Sequence, residues 1–363
     1  MNNNICVRKI SIFAYLAIFL MSWDCAAFSL FGNSSKPRDY IYVTGSSTIS
    51  PMAAAIAEEF ARMKNLNNYG DDLFPTPMIE SVGTGAGFAL FCKGNSLRYP
   101  DFVNASRRIN KREIYSCKDN GVVDIAKIKI GYDGIVIGNY FKRKTLKVTK
   151  EQLFFALAKK VYDKESGALI DNPYKKWSDI DKRLPNEDIK VFGPPRSSGT
   201  RDVFRELVMK NSCRNNFRLI QSYPDKESFD KYCHKIREDG VFVESGENDD
   251  FIIEKLKEYP ESFGIFGYNF LANNKYKIHP VFIDGVKPSF KAISLKQYSL
   301  SRPLYIYFKI NSLEKVPAMK DFVQEIMNKH TIGNRGYLVH SGLIPLSSDE
   351  FEEVLQEIND IIN

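Results

Sequence analysis

Short apolar segments alternate with longer amphipathic ones along most of this chain, and that alternation restricts the available folds more than any other feature. Tyr40 to Val43, Met78 to Val82, Asp101 to Ala105, Ile128 to Ile137, Ile189 to Phe192 and Leu304 to Ile310 read as strands. Helical stretches lie between them: Met52 to Arg62, a segment starting near Phe88, Glu151 to Tyr162, and Arg201 to Lys210 with Val203, Phe204, Leu207 and Val208 on one face. Met319 to Lys329 and Asp349 to Ile362 read as closing helices. A strand that returns parallel to its neighbour needs a crossover, and a helix supplies one. The pattern therefore predicts an α/β architecture with parallel sheets.

A length of 363 residues allows one large or two ordinary domains. With 44% hydrophobic and 26% charged residues the chain can build a core, which excludes long disorder. The formal charge of +7 is dispersed, with no block of five Lys or Arg, and points to solubility rather than nucleic-acid binding.

The N-terminus has a separate logic. Arg8 and Lys9 precede an uncharged run from Ile10 to Met21, too short for the ~20 residues that a helix needs to cross a bilayer. Cys25, Ala26 and Ala27 then offer small residues for cleavage, so residues 1–27 read as a secretory signal peptide. Trp23 and Asp24 before Cys25 argue against a lipoprotein. Export leaves Cys92, Cys117, Cys213 and Cys233, which allow three disulfide connectivities. Pairing by proximity gives Cys92–Cys117 and Cys213–Cys233, each stabilising by about 3 kcal/mol in the chain-entropy model. A metal site is not expected: no C-x-x-C occurs, and His234, His279, His330 and His340 form no ligand-spaced cluster.

Three strand-to-helix junctions share one design. They are Thr44-Gly45-Ser46-Ser47-Thr48, with Pro51 in the following turn; Gly83-Thr84-Gly85-Ala86-Gly87; and Arg196-Ser197-Ser198-Gly199-Thr200. Each offers small hydroxyls and unobstructed backbone N–H groups at a helix N-terminus, where the first N–H groups lack internal partners and the helix dipole favours negative charge. One such loop alone is an ordinary helix cap. Three together suit a dehydrated oxyanion. Neither a G-x-x-x-x-G-K-[ST] loop nor a G-x-S-x-G elbow occurs, which weakens nucleotide hydrolase and serine hydrolase readings. No nucleophile–base pair is apparent either, so an exported phosphoesterase is disfavoured.

At the level of motifs the chain resembles the periplasmic phosphate-binding proteins of bacterial phosphate ABC transporters, from about Tyr40 to Ile362. The carrying residues are Gly45-Ser46-Ser47-Thr48, Val82-Gly83-Thr84-Gly85-Ala86-Gly87-Phe88, Asn104-Ala105-Ser106-Arg107 and Ser198-Gly199-Thr200-Arg201-Asp202. Phe263-Gly264-Ile265-Phe266-Gly267-Tyr268 and Arg302-Pro303-Leu304-Tyr305 fit as well. The resemblance implies a two-lobed α/β binding protein of type II, with parallel or mixed sheets flanked by helices and a double-crossover hinge. Residues 38–130 plus 300–363 would form lobe 1, and 131–299 lobe 2. Phosphate would be enclosed by Ser46, Ser47, Thr48, Ile49, Thr84, Gly85, Ser106 and Arg107 from one side. Ser198, Gly199, Thr200 and Arg201 would close from the other.

Two positions depart from the best-known members of that family, which carry a proton-accepting Asp where Arg107 stands and an Arg where Pro194 stands. The sequence looks like a variant branch with its charges redistributed. The implied function is capture of inorganic phosphate in the periplasm and delivery to ABC permease subunits, by a monomer without cofactor, metal, enzymatic activity or nucleic-acid partner. The alternatives are a binder of sulfate, arsenate or molybdate, and a phosphate sensor not coupled to transport.

Overall fold

The computed structural model describes residues 38–66, 73–140, 145–163, 165–246 and 249–363. In chain order its strands are β1 (Tyr42–Gly45), β2 (Met78–Ser81), β3 (Phe102–Ala105), β4 (Ile125–Tyr140), β5 (Lys147–Val148), β6 (Lys160–Tyr162) and β7 (Leu169–Asp171). They continue as β8 (Val191–Gly193), β9 (Phe242–Glu244), β10 (Phe263–Gly267), β11 (Ile278–Pro280), β12 (Phe282–Ile283) and β13 (Ser301–Lys309).

The first three strands obey the crossover rule. β1 pairs in parallel with β2 on one side and β3 on the other. The returns are the helices Ser50–Leu66 and Thr84–Phe91. Met52, Ile56 and Phe60 recur every four residues on the first helix and are all buried, as a helix covering a sheet requires. A second parallel set forms at the far side, where β8 pairs with both β9 and β10.

The two sets are joined by antiparallel strands. β13 runs beside β3, and along its whole length beside β4 from Ile125↔Lys309 to Gly134↔Ser301. The rest of β4 pairs with β10, from Ile135↔Gly267 to Asn139↔Phe263. The sheet is therefore mixed, in the order β2-β1-β3-β13-β4-β10-β8-β9, with β11 beside β4. β5 with β12 and β6 with β7 make two small separate ladders. Residues 39–363 form one compact unit.

Two expected helices differ in detail. The segment Glu151 to Tyr162 is helical only to Leu157 and then becomes β6. Tertiary contacts end it there: the Asn172 amide donates to the carbonyls of Phe155 and Ala158, and the Lys159 N–H donates to the Lys235 carbonyl. The helix expected at Arg201 to Lys210 begins as α-helix (Gly199–Phe204) and widens into a π-helical turn at Arg205–Lys210. An i→i+5 turn rotates the following residues around the axis. Val203, Phe204 and Val208 are buried as expected and Met209 joins them, while Leu207 is only partly buried, packing against the core and also lining a cavity.

The main core runs through most of the sheet, and a smaller one of Phe88, Phe91, Val103, Ala105, Val122, Tyr305 and Tyr307 lies under the helix Thr84–Phe91. Cys92 is bonded to Cys117 and Cys213 to Cys233. No described helix is long and apolar enough to cross a membrane, and the expected signal peptide at residues 1–27 lies outside the described residues.

Candidate functional site

A cavity of about 570 Å³ opens where the C-terminal ends of β1, β2 and β3 meet the helix that starts at Gly199. Strand ends in α/β sheets are a usual place for ligands, because the loops there carry helix N-termini.

The first wall is set by backbone contacts. Gly45 closes β1 at φ 129°, and a Cβ there would stand 2.2 Å from the Asn104 carbonyl oxygen. A Cβ on Gly87 would meet Gly45 Cα at 2.5 Å. Two glycines thus let the helix Thr84–Phe91 lie directly on the end of β1. The Gly45 carbonyl accepts from Val82 and Gly83 N–H, and the Ser46 N–H donates to the Asn104 carbonyl at 2.9 Å. These bonds present Ser46, Ser47, Thr48, Thr84, Gly85, Ser106 and Arg107 to one cavity, all seven expected from sequence. Thr84 Oγ1 accepts from Ser106 N–H and lies 3.2 Å from Ser106 Oγ. The helix itself has no capping side chain at Gly83.

Ile49 is placed differently. It is buried in the core, does not line the cavity, and its N–H donates to the Ser46 carbonyl. Behind the wall, Thr44 Oγ1 and both polar atoms of the Asn104 side chain are buried with no partner among the described residues. Groups of that kind are costly to keep and concentrate where a site constrains the backbone.

Arg107 enters the cavity already paired. Its guanidinium donates to both carboxylate oxygens of Glu113, at 2.8 and 2.6 Å, and to the Arg108 carbonyl at 3.1 Å. That bond raises the arginine's pKa above its ordinary value. Glu113 is itself fixed by a capping box with Asn110 at the start of the helix Lys111–Asp119. Arg107 is thus a positioned cation with donors left over.

The second wall is a helix face. Asp202, Arg205, Glu206, Leu207, Lys210 and Asn211 look into the cavity. Glu206 bonds Lys210 at 3.2 Å. Burial works against its charge, yet Lys210 and Arg302 hold its pKa below the ordinary value. Asp202 lay in a motif quoted above and Leu207 was expected on the apolar face, but none of the six was expected as part of the site. Their spacing, at 202, 205–206 and 210, is a polar stripe opposite Val203 and Phe204, and only the stripe could have pointed to them.

Arg302 connects the walls. It sits on β13 directly across from Asp133 of β4, and its guanidinium donates to Thr48 Oγ1 at 2.9 Å and contacts Asp133 at 3.4 Å. Burial raises the pKa of Asp133 above its ordinary value, partly countered by Arg302. A register shift between Leu304 and Tyr305 accompanies this placement. Such bulges re-aim nearby side chains. Arg302 lay in a motif quoted above, but its part in the cavity was not foreseen.

The cavity carries five basic side chains (Arg107, Arg108, Arg205, Lys210 and Arg302) against two acidic ones, Asp202 and Glu206. Hydroxyls, helix-start N–H groups and guanidinium forks facing a net positive space suit a tetrahedral oxyanion. No lining residue is a histidine or cysteine, and no metal-binding group of His, Cys, Asp and Glu occurs among the described residues.

Ser198, Gly199 and Thr200 start the second-wall helix but do not line this cavity. Arg201 faces another space altogether, described below.

A family model described as a PBP superfamily domain matches residues 32–329. The Phosphate-binding protein PstS of Staphylococcus haemolyticus is 30% identical over 298 residues, covering 80% of this chain and 76% of its own. The protein of the same name from Staphylococcus saprophyticus is 28% identical over 337 residues, covering 91% and 88%. Among solved structures, a possible phosphate binding protein from Planctomyces limnophilus aligns with TM-score 0.69 and 25% identity, over 90% of this chain and 100% of that one.

Proposed function

The chain belongs to the PBP superfamily, and from that premise we propose that it is an extracytoplasmic receptor that binds inorganic phosphate and delivers it to an ABC-type importer. The observation that carries this reading is one net-positive cavity in which hydroxyls, glycine-exposed helix starts and arginines converge. The relatives named as phosphate-binding proteins support the choice of anion. The work done is capture, not catalysis.

Phosphate would be held by Ser46, Ser47, Thr48, Thr84, Gly85, Ser106 and Arg107, with Arg302 added as a donor. Ile49 drops out of the set because Ser46 engages its N–H. Ser198, Gly199 and Thr200 would reach the ion from the opposite side only after the walls draw together. Lobes of 38–130 plus 300–363 and 131–299 would allow that, with the long strands β4 and β13 as the crossings between them. Residues 1–27 would direct the chain to the periplasm, and the two disulfides suit an oxidising compartment. The receptor would work as a monomer, with permease subunits and not nucleic acid as its partners.

Calorimetry on the chain without residues 1–27 tests the ligand. Phosphate should bind at one site in this cavity and sulfate far more weakly. Binding of sulfate without phosphate would overturn the assignment.

A further inference from the structure

A second cavity, of about 640 Å³, lies beside the first and shares Asp202 and Arg205 with it. Its basic lining residues are Lys159, Arg196, Arg201, Arg205, Lys235 and Arg237; Asp202, Glu238 and Glu244 are its carboxylates. Six cations against three anions leave a larger excess than ordinary surface mixing of both signs produces.

The distribution of those charges is uneven. Arg237 is fully engaged, with Asp239 and the carbonyls of Ala156, Asn172 and Tyr174. Arg205 pairs with Asp202 at 3.0 Å, and Arg196 pairs with Glu238. Arg201 is different. Its side chain is 10% exposed and its guanidinium stacks on the Phe242 ring at 3.9 Å. Among the described residues its polar contacts are long, 3.4 Å to the Pro194 carbonyl and 3.7 Å to Glu244. A buried guanidinium with five donors and no close acceptor is costly. Burial accordingly lowers its pKa to about 10, with Glu244 offsetting only part of the loss.

The surroundings are cross-linked. The Lys159 N–H donates to the Lys235 carbonyl, Ala158 bridges Ile236, and the disulfide at Cys233 anchors the segment carrying His234 and Lys235. Stacking on Phe242 fixes the plane of Arg201, while Lys159, Arg196 and Lys235 stand exposed around it. The cavity's excess positive charge suits a ligand with several negative groups.

We propose that this second cavity is a binding site for condensed phosphate, with Arg201 as its central ligand and Lys159, Arg196 and Lys235 as flanking cations. It is distinct from the Thr48–Arg302 cavity. Arg201, expected from sequence to help enclose a single phosphate, here serves the neighbouring site.

The probe is inorganic tripolyphosphate, titrated by calorimetry into the chain lacking residues 1–27, first saturated with phosphate and then without it. One further equivalent should bind to the phosphate-saturated protein. Arg201→Gln should weaken that binding by roughly tenfold or more, and the exposed double substitution Arg196→Gln with Lys235→Gln by several-fold without risk to folding. Thr48→Val should leave it unchanged. Tripolyphosphate that phosphate displaces, or that Thr48→Val abolishes while the Arg196/Lys235 variant binds normally, would overturn the proposal. If phosphate itself fails to bind, the reading of the first cavity falls, and Arg201-dependent tripolyphosphate binding still decides this one.

Discussion

The two walls of the first cavity are built on opposite principles. One is a set of strand-to-helix junctions whose donors are fixed by backbone contacts between Gly45, Gly87 and Asn104. The other is the side of a helix, with long charged side chains at Arg205, Glu206 and Lys210 over a π-helical turn. Each is held from behind by a disulfide: Cys92–Cys117 joins the end of the helix Thr84–Phe91 to the helix bearing Glu113, and Cys213–Cys233 follows the π-helical turn. A wall of donors fixed by backbone contacts, with Arg107 beside them, defines where an anion sits. A wall of long side chains of both signs, Arg205 and Lys210 beside Asp202 and Glu206, can follow a moving partner and tune attraction without defining position.

That contrast predicts unequal tolerance to small substitutions. Gly45→Ala should be the most damaging single change in either wall, since it forces a Cβ onto the Asn104 carbonyl at a φ that L-residues avoid. A loss of about 3 kcal/mol or more is expected in urea unfolding, with phosphate binding abolished. Gly199→Ala on the opposite wall, where a Cβ meets nothing within 4 Å, should leave stability nearly unchanged. Equal losses at the two glycines would erase the distinction. Replacing Cys213 and Cys233 by Ser should cost about 3 kcal/mol. The loss should appear in thermal melts of both the phosphate-bound and the free protein.

Binding should separate the walls as well. Arg302→Gln removes a donor to Thr48 and is expected to weaken phosphate binding by about 2–3 kcal/mol. Arg107→Ala should cost about 2 kcal/mol, and Glu113→Gln less, because the arginine keeps its charge when its positioning partner is neutralised. Lys210→Gln should change affinity by under about 1 kcal/mol and mainly flatten its salt dependence. Calorimetry at two ionic strengths reads all four. A Lys210 effect larger than that of Arg302 would reverse the roles assigned to the walls.

The same contrast explains what the sequence disclosed. The first wall was legible because its chemistry is local: glycine, serine and threonine at a strand end imply both the backbone geometry and the donors within five residues. β4 and β13 were seen only in part, since their antiparallel pairing joins residues far apart in the chain and leaves no local mark. Leu207, placed on the apolar face by an α-helical period, packs against the core only in part and also lines the cavity, because the π-helical turn shifts that period. Arg302 and Asp133 come together only through strand register, 169 residues apart. Arg201 carried the right chemistry for an anion, but helix rotation decides which cavity it faces, and no motif encodes that.

Asp133 offers the smallest test, and it probes the junction between the walls. Burial raises its pKa, while Arg302 across the ladder pulls it back. A carboxyl whose folded pKa lies above its unfolded value binds protons more readily in the folded state. Its contribution to stability is then fully present below the unfolded pKa and is lost as pH rises through the folded one. The parent should therefore lose stability relative to Asp133→Asn between the ordinary aspartate range and neutral pH, as measured by urea unfolding at several pH values. If the parent instead gains on the variant over that interval, the attraction of Arg302 outweighs burial. Arg302 would then be a cation committed to Asp133, with correspondingly little to give an anion beside Thr48.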